Sequence, residues 1–340
     1  MNAARRPIFL AVLLLVLAAA LAFLLSDYRL FQMTMVVAYA IAILGLDMLT
    51  GYTGQISLGH GAFYAVGAYT AAILMANFDV PYWATLPIAA LICAGFGFAF
   101  GFPALRLGGL YLALATFALA IAVPQLLKYK AFEAWTGGVQ GIVISKPDPP
   151  FGLKLSQDQW LYLFTLAVAA VLFLLARNLL RGRIGLAMRA VRDHALAAEA
   201  MGIDIALLKT RTFALSAMYT GIAGALGAIA VQFVAPDSFA VFFSITLFVG
   251  LVVGGITSLL GAVFGAIFIV FIPNIADKIS KAAPGAIYGV ILIAFLYLLP
   301  MGFAGLLRRA ARLDACAAPP TKTLAPPPGK MAEEIRIRNG

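Results

Sequence analysis

The feature that most limits what this chain can fold into is a series of ten long apolar runs, near residues 8–25, 30–49, 56–76, 82–102, 109–127, 159–176, 212–234, 239–256, 259–276 and 285–303. A helix needs about 20 residues to cross the hydrocarbon core, where every backbone group must be bonded within the protein. Runs this long and continuous exceed a barrel strand, so the sequence predicts an all-α polytopic membrane protein with about ten transmembrane helices. Only Thr257 and Ser258 separate the eighth and ninth runs, which are therefore either two spans or a re-entrant pair beside eight others. Composition excludes an ordinary soluble domain. The chain is 63% hydrophobic and 11% charged, with mean hydropathy +1.00, against about 45–50% and about 25% in soluble proteins.

Lys and Arg set the orientation, because basic loops stay cytoplasmic. With both termini inside, Arg5, Arg6, Arg106, the 177–211 loop and the tail share the cytoplasmic face, and only seven of the 24 basic residues fall opposite: Arg29, Lys128, Lys130, Lys146, Lys154, Lys278 and Lys281. The net charge of +10 then follows from topology, and nothing points to nucleic acid. The stretch RRPIFLAVLLLVLAAALAFLL is too long for a signal core and has no A-x-A site before Ser26, so residues 1–29 are expected to hold a retained first span and an outer turn. Cys93 and Cys316 lie in a span and in the tail, and no disulfide is expected. Residues 311–340, rich in Pro and charge without apolar periodicity, read as a disordered cytoplasmic tail.

Two segments between spans are long enough to have roles. Residues 128–158 are rich in turn formers and lie on the outer face; they are a structured connector or part of a docking surface, with Trp135, Thr136, Gly137 and Gly138 as candidate contacts. In the 177–211 loop, Leu196, Ala200, Ile203 and Leu207 fall on one helical face. That stripe must be covered, either by the bundle itself or by a soluble partner. Gly202 interrupts it and is a candidate turn between two short helices.

RDHALAAEAMGIDIALLKTRTFALSAMYTGIAGALGA, residues 192–228, resembles the cytoplasmic coupling loop and following helix of the branched-chain amino-acid type ABC importer permeases. Within it AAEAMGI, 197–203, is similar to the EAA-type signature on which such permeases seat their ATPases. GYTGQISLGHGAFYAVGAYTAA (51–72), PALRLGGLYLALATFALA (103–120), TGGVQGI (136–142), GGITSLLGAVFGA (254–266) and LLPMGFAGLL (298–307) resemble the family in the same order, over roughly residues 30–310. The likeness is closer to the LivM branch than to the LivH branch. It implies a transmembrane domain at 30–310, with Arg192, Asp193, Ala197, Ala198, Glu199, Ala200, Gly202 and Ile203 meeting an ATPase.

The resemblance further implies a division of labour: a periplasmic binding protein delivers cargo, this chain and a homologous LivH-like permease form the pathway, and two partner ATPase subunits bind ATP and Mg. No cofactor or metal is expected on this chain, which carries no G-x-x-x-x-G-K-[ST] loop and no catalytic cluster. It reads as a transport subunit and not as an enzyme. The expected location is the bacterial cytoplasmic (inner) membrane. Leu, Ile and Val are the cargo the family suggests, with urea, short amides or aromatic acids as the alternative within it.

Ion-coupled carriers usually carry ionisable residues inside their spans. Here Asp47 is the only carboxylate and His60 the only histidine within one, which disfavours that class; a membrane scaffold or channel is a further alternative. Asp47 is expected to reach water or cap the turn before the third span, or else to pair with Arg106 in a gate. The stretch 50–72 concentrates glycine with polar residues. Its glycines either let helices approach closely or, with the Gly-rich break at 253–266, mark unwound backbone along a pathway. Gly54, Gln55, Ser57, Gly59, His60, Tyr64, Gly254 and Gly255 are accordingly the pathway candidates.

Overall fold

In the computed structural model, residues 6–104, 109–150, 154–279, 281, 283–299 and 302–306 are described. Arg5, Arg106 and the tail from 311 lie outside them. The apolar runs become α1 (Arg6–Leu24), α2 (Asp27–Thr53), α3 (His60–Phe78), α4 (Tyr82–Ala104), α5 (Gly109–Leu127), α7 (Gln157–Arg181), α10 (Ile205–Val231), α11 (Val241–Gly254), α12 (Leu259–Ile279) and α13 (Pro284–Leu298), with short helices α6 (Glu133–Thr136), α8 (Arg183–Asp193) and α9 (Ala195–Ala200) between them. Among the described residues, eight helices are long and apolar enough to cross a bilayer. The chain is a multi-pass, all-helical membrane protein.

Two expectations about spans change. The run at 239–256 does not give a full span: a 3₁₀ turn at Pro236–Phe239 precedes a 14-residue α11, only about 21 Å long. With the full-length α12 it makes one complete span and one short helix, and not two complete spans. The third span starts later than hydropathy suggests, because Gly54 to Gly59 are not helical and α3 begins at His60. Hydropathy registers the polarity of a segment and is blind to whether its backbone is coiled.

α10 is the axis of the bundle, buried along most of its length against α2, α3 and α4. Small residues make that possible. A Cβ at Gly67 of α3 would run into the backbone of Gly221 on α10, and one at Gly224 into the Tyr64 carbonyl. Without a hydrophobic force between helices in lipid, such backbone approach is how they hold together. α11 and α12 pair in the same way, Gly265 lying against the Gly250 carbonyl.

The 182–204 loop precedes α10, and β2 (Phe233–Val234) follows it, so the two mark opposite ends of the bundle. At the far end β2 pairs antiparallel with β1 (Ile142–Val143), Ile142 opposite Val234. Residues 128–150 are thereby tied down, helped by ion pairs Lys128–Asp237 and Lys146–Asp158, both 2.5 Å. Ser156 and Gln159 form a capping box that starts α7.

Candidate functional site

The break after α2 is built by Gly54, whose φ of +71° closes the helix in the left-handed region that a side chain disfavours. From there the chain runs non-helically back into the bundle. Leu58 N donates to Thr116 Oγ1 of α5 at 3.0 Å, and Gly61 N donates to Ser244 Oγ in the first turn of α11 at 2.9 Å. At the deep end, His60 Nε2 lies 2.6 Å from Ser216 Oγ, about 16 Å beyond the start of α10. Unwound backbone at such depth is tolerated only where protein or a cavity surrounds it.

The directions of these bonds can be assigned. The Ser216 hydroxyl donates to the Gly45 carbonyl at 2.5 Å, so its oxygen accepts from His60 Nε2–H. His60 Nδ1 is then the acceptor for the Ser57 hydroxyl at 3.1 Å, and Ser57 Oγ in turn accepts from Gly59 N–H at 3.4 Å. The assignment follows from the network, since a carbonyl can only accept. One continuous chain of hydrogen bonds therefore clamps the N-terminus of α3 to α10 and α2.

The other pathway candidates occupy distinct surroundings. Gln55 is buried and donates to Thr53 Oγ1 at 2.9 Å. Tyr64 is buried with its ring edge-on to Phe243, centroids 4.8 Å apart, and its hydroxyl against Gly227. Gly54 and Ile56 are exposed. Gly254 and Gly255 close α11, just before Ile256, which faces Gly51 of α2. Gly254 is buried against Gly261, and Gly255 has a φ of 105°.

Asp47 neither reaches water nor caps the turn before the third span. It is 1% exposed, so it does not reach water, and its Oδ1 accepts from Thr257 N at 2.8 Å. It caps the turn between α11 and α12 and not the one before α3; Arg106 lies outside the described residues. Tyr52 Oη also donates to the Thr257 carbonyl at 3.4 Å. Ser216, Ser244 and Thr116 were missed by the sequence reading. A hydroxyl inside an apolar run, such as Ser244 in VFFSITLFVG, is the one trace such positions leave in the sequence, and it does not name the partner.

α7 continues to Arg181 and α10 begins at Ile205, so the connecting loop is 182–204. The predicted stripe Leu196, Ala200, Ile203, Leu207 does not form one helical face, because α9 ends at Ala200, Gly202 turns with φ +84°, and Asp204 caps α10 by accepting from Leu207 N at 2.9 Å. Leu196 and Met201 are 83% and 84% exposed, whereas Ala198 is buried. Glu199 and Ile203 line a shallow groove with Asp204, Ala206 and Lys209. Arg192 and Asp193 close α8 at 2.9 Å, and Arg192 Nη1 donates to the Gly51 carbonyl of α2 at 2.8 Å.

At the far end only part of the 135–138 quartet is available at the surface. Trp135 is exposed beside Phe78, with ring centroids 5.7 Å apart. Thr136 is buried, donates to the Leu127 and Phe132 carbonyls, and accepts from Gly138 N, which is buried too. Gly137 closes α6 with φ +69°. Among the described residues no group of three His, Cys, Asp or Glu side chains is placed to hold a metal ion.

Comparison with known proteins bears on the whole of this architecture. The family described as branched-chain amino acid transport system / permease component matches residues 28–299. The chain is 31% identical over 337 residues to the high-affinity branched-chain amino acid transport system permease protein LivM of Escherichia coli strain K12, covering 92% of this chain and 78% of that one. LivM of Salmonella typhimurium strain LT2 is 31% identical over 315 residues, covering 85% and 74%. A probable branched-chain amino acid transport permease protein, LivH, of Methanocaldococcus jannaschii is 25% identical over 279 residues, covering 77% and 87%. No solved structure matches the chain. With a family match across nearly all the spans and close to a third of positions identical to LivM, the chain belongs to the branched-chain amino acid ABC transport permease family and is LivM-like within it.

Proposed function

We propose that this chain is the permease subunit of a binding-protein-dependent importer for leucine, isoleucine and valine in a bacterial inner membrane. It forms the pathway with a homologous LivH-like permease, receives cargo from a periplasmic binding protein at the end bearing Trp135, and is driven by two ATPase subunits that bind ATP and Mg. The observation that carries this reading is the family match over residues 28–299. The loop end supports it. Leu196 and Met201 expose apolar surface beside a groove edged by Glu199, Asp204 and Lys209, which suits a soluble partner better than lipid.

The cargo assignment is tested by uptake into proteoliposomes holding the complete complex with its own binding protein. The expected result is leucine uptake that isoleucine and valine compete away and urea does not. Strong urea uptake without leucine uptake would replace the substrate while leaving the importer reading in place.

A further inference from the structure

We infer that Arg192 is a positioning residue that couples the 182–204 loop to the C-terminal turn of α2, and through that turn to both breaks in the helical backbone. The inference rests on the ABC-importer reading and adds to it the route by which loop movement enters the bundle.

Three contacts converge on Arg192. Its Nη1 donates to the Gly51 carbonyl at 2.8 Å, its Nε donates to Asp193 Oδ1 at 2.9 Å, and its side-chain stem lies against Gly54. Gly51 belongs to the last turn of α2, whose final carbonyls lack intrahelical partners and carry the negative end of the helix dipole. A planar guanidinium with several donors can serve the carbonyl and the carboxylate together, which a single ammonium does less well. Gly54 is where the non-helical 54–59 segment begins, so the same side chain touches both the end of α2 and the start of the chain leading to His60.

The same turn also holds the second break. Asp47 accepts from Thr257 N, Tyr52 donates to the Thr257 carbonyl, and Gly51 packs against Ile256. The turn 47–54 is thus held both by the loop, through Arg192, and by residues 256 and 257. The ion pair with Asp193, whose side chains are 33% and 60% exposed, contributes little, so the contact of Arg192 that matters is the part-buried bond to the Gly51 carbonyl. What the geometry provides is a direct link from α8 to the end of α2 through the Arg192–Gly51 bond.

The test uses the complete complex in proteoliposomes, carrying Arg192→Ala or Arg192→Lys. Leucine uptake, ATP hydrolysis and ATPase co-purification are measured on the same preparations. For Arg192→Ala the expected result is normal co-purification and sustained ATP hydrolysis, with uptake reduced about tenfold or more, the scale of losing a hydrogen bond from a charged donor. Arg192→Lys is expected to recover part of that loss, and the ATP consumed per leucine rises in both variants. Unchanged uptake and stoichiometry in Arg192→Ala would overturn the inference. So would uptake and co-purification falling together, which would make Arg192 a docking contact only. If the wild-type complex shows no ATP-driven uptake, the importer reading itself fails and the inference goes with it.

Discussion

At the scale of single residues, His60 shows how a polar group is accommodated inside a membrane bundle. Every polar atom of the chain from Gly59 N–H through Ser57, His60 and Ser216 to the Gly45 carbonyl has a stated donor or acceptor. Replacement His60→Phe keeps the aromatic volume but strands the Ser57 hydroxyl in a buried position, a loss of about 1–3 kcal/mol. The measurement is the unfolding midpoint in detergent, and an unchanged midpoint would contradict the clamp. The bond directions have their own readout. ¹⁵N NMR should find the proton on Nε2, and a proton on Nδ1 would reverse the assigned network. From the sequence, Ser57 and His60 stand out because they are close together in a glycine-rich stretch. Ser216 and Ser244 do not, since they reach the site from 156 and 183 residues away, and a serine in an apolar run has no local pattern to announce its partner.

At the scale of elements, the glycines that cluster in the sequence divide by what faces them. Gly67→Ala places a methyl group against the Gly221 backbone, where neither helix can yield; overpacking of this kind costs about 1–3 kcal/mol. Gly95→Ala meets nothing within 4 Å and should stay within about 0.5 kcal/mol of wild type, as surface changes usually do. Thermal unfolding of the two variants in detergent checks the pair, and equal midpoints would contradict tight α3–α10 packing. In the loop, Gly202→Ala forces a side chain into a left-handed backbone, costing about 1–2 kcal/mol locally. It is expected, with Glu199→Ala, to loosen ATPase attachment or uncouple transport while leaving the chain inserted; normal co-purification and uptake in both would remove the coupling role. The long helices were legible because hydrophobic length decides them. The half-length α11 was not, although Pro236 upstream of it marks where the helical path is interrupted. In the loop, Gly202 was legible as a turn between two short helices and takes φ +84°, but the spacing of Leu196, Ala200, Ile203 and Leu207 did not show that this turn takes them off one face.

At the scale of the molecule, the fold has two unlike ends joined by the α10 axis: one tied down by the β1–β2 pair and two ion pairs, the other presenting α8, α9 and exposed apolar side chains. If the basic loop lies in the cytoplasm, a cysteine at Val139 should react with an impermeant reagent from outside intact cells, and one at Leu196 only after permeabilisation, in a background lacking Cys93 and Cys316. The reverse pattern would invert every sided assignment. Most of this plan could be read from where charge and hydrophobicity fall, while the seating of the two breaks on the end of α2 depends on contacts across the whole chain. The central claim is that ATP hydrolysis by partner subunits drives transport through this permease, and it is tested most directly by leucine accumulation in proteoliposomes of the full complex. Accumulation is expected to require ATP on the loop side and binding protein on the opposite side, with no dependence on an imposed proton or sodium gradient; accumulation that follows such a gradient without ATP would contradict it.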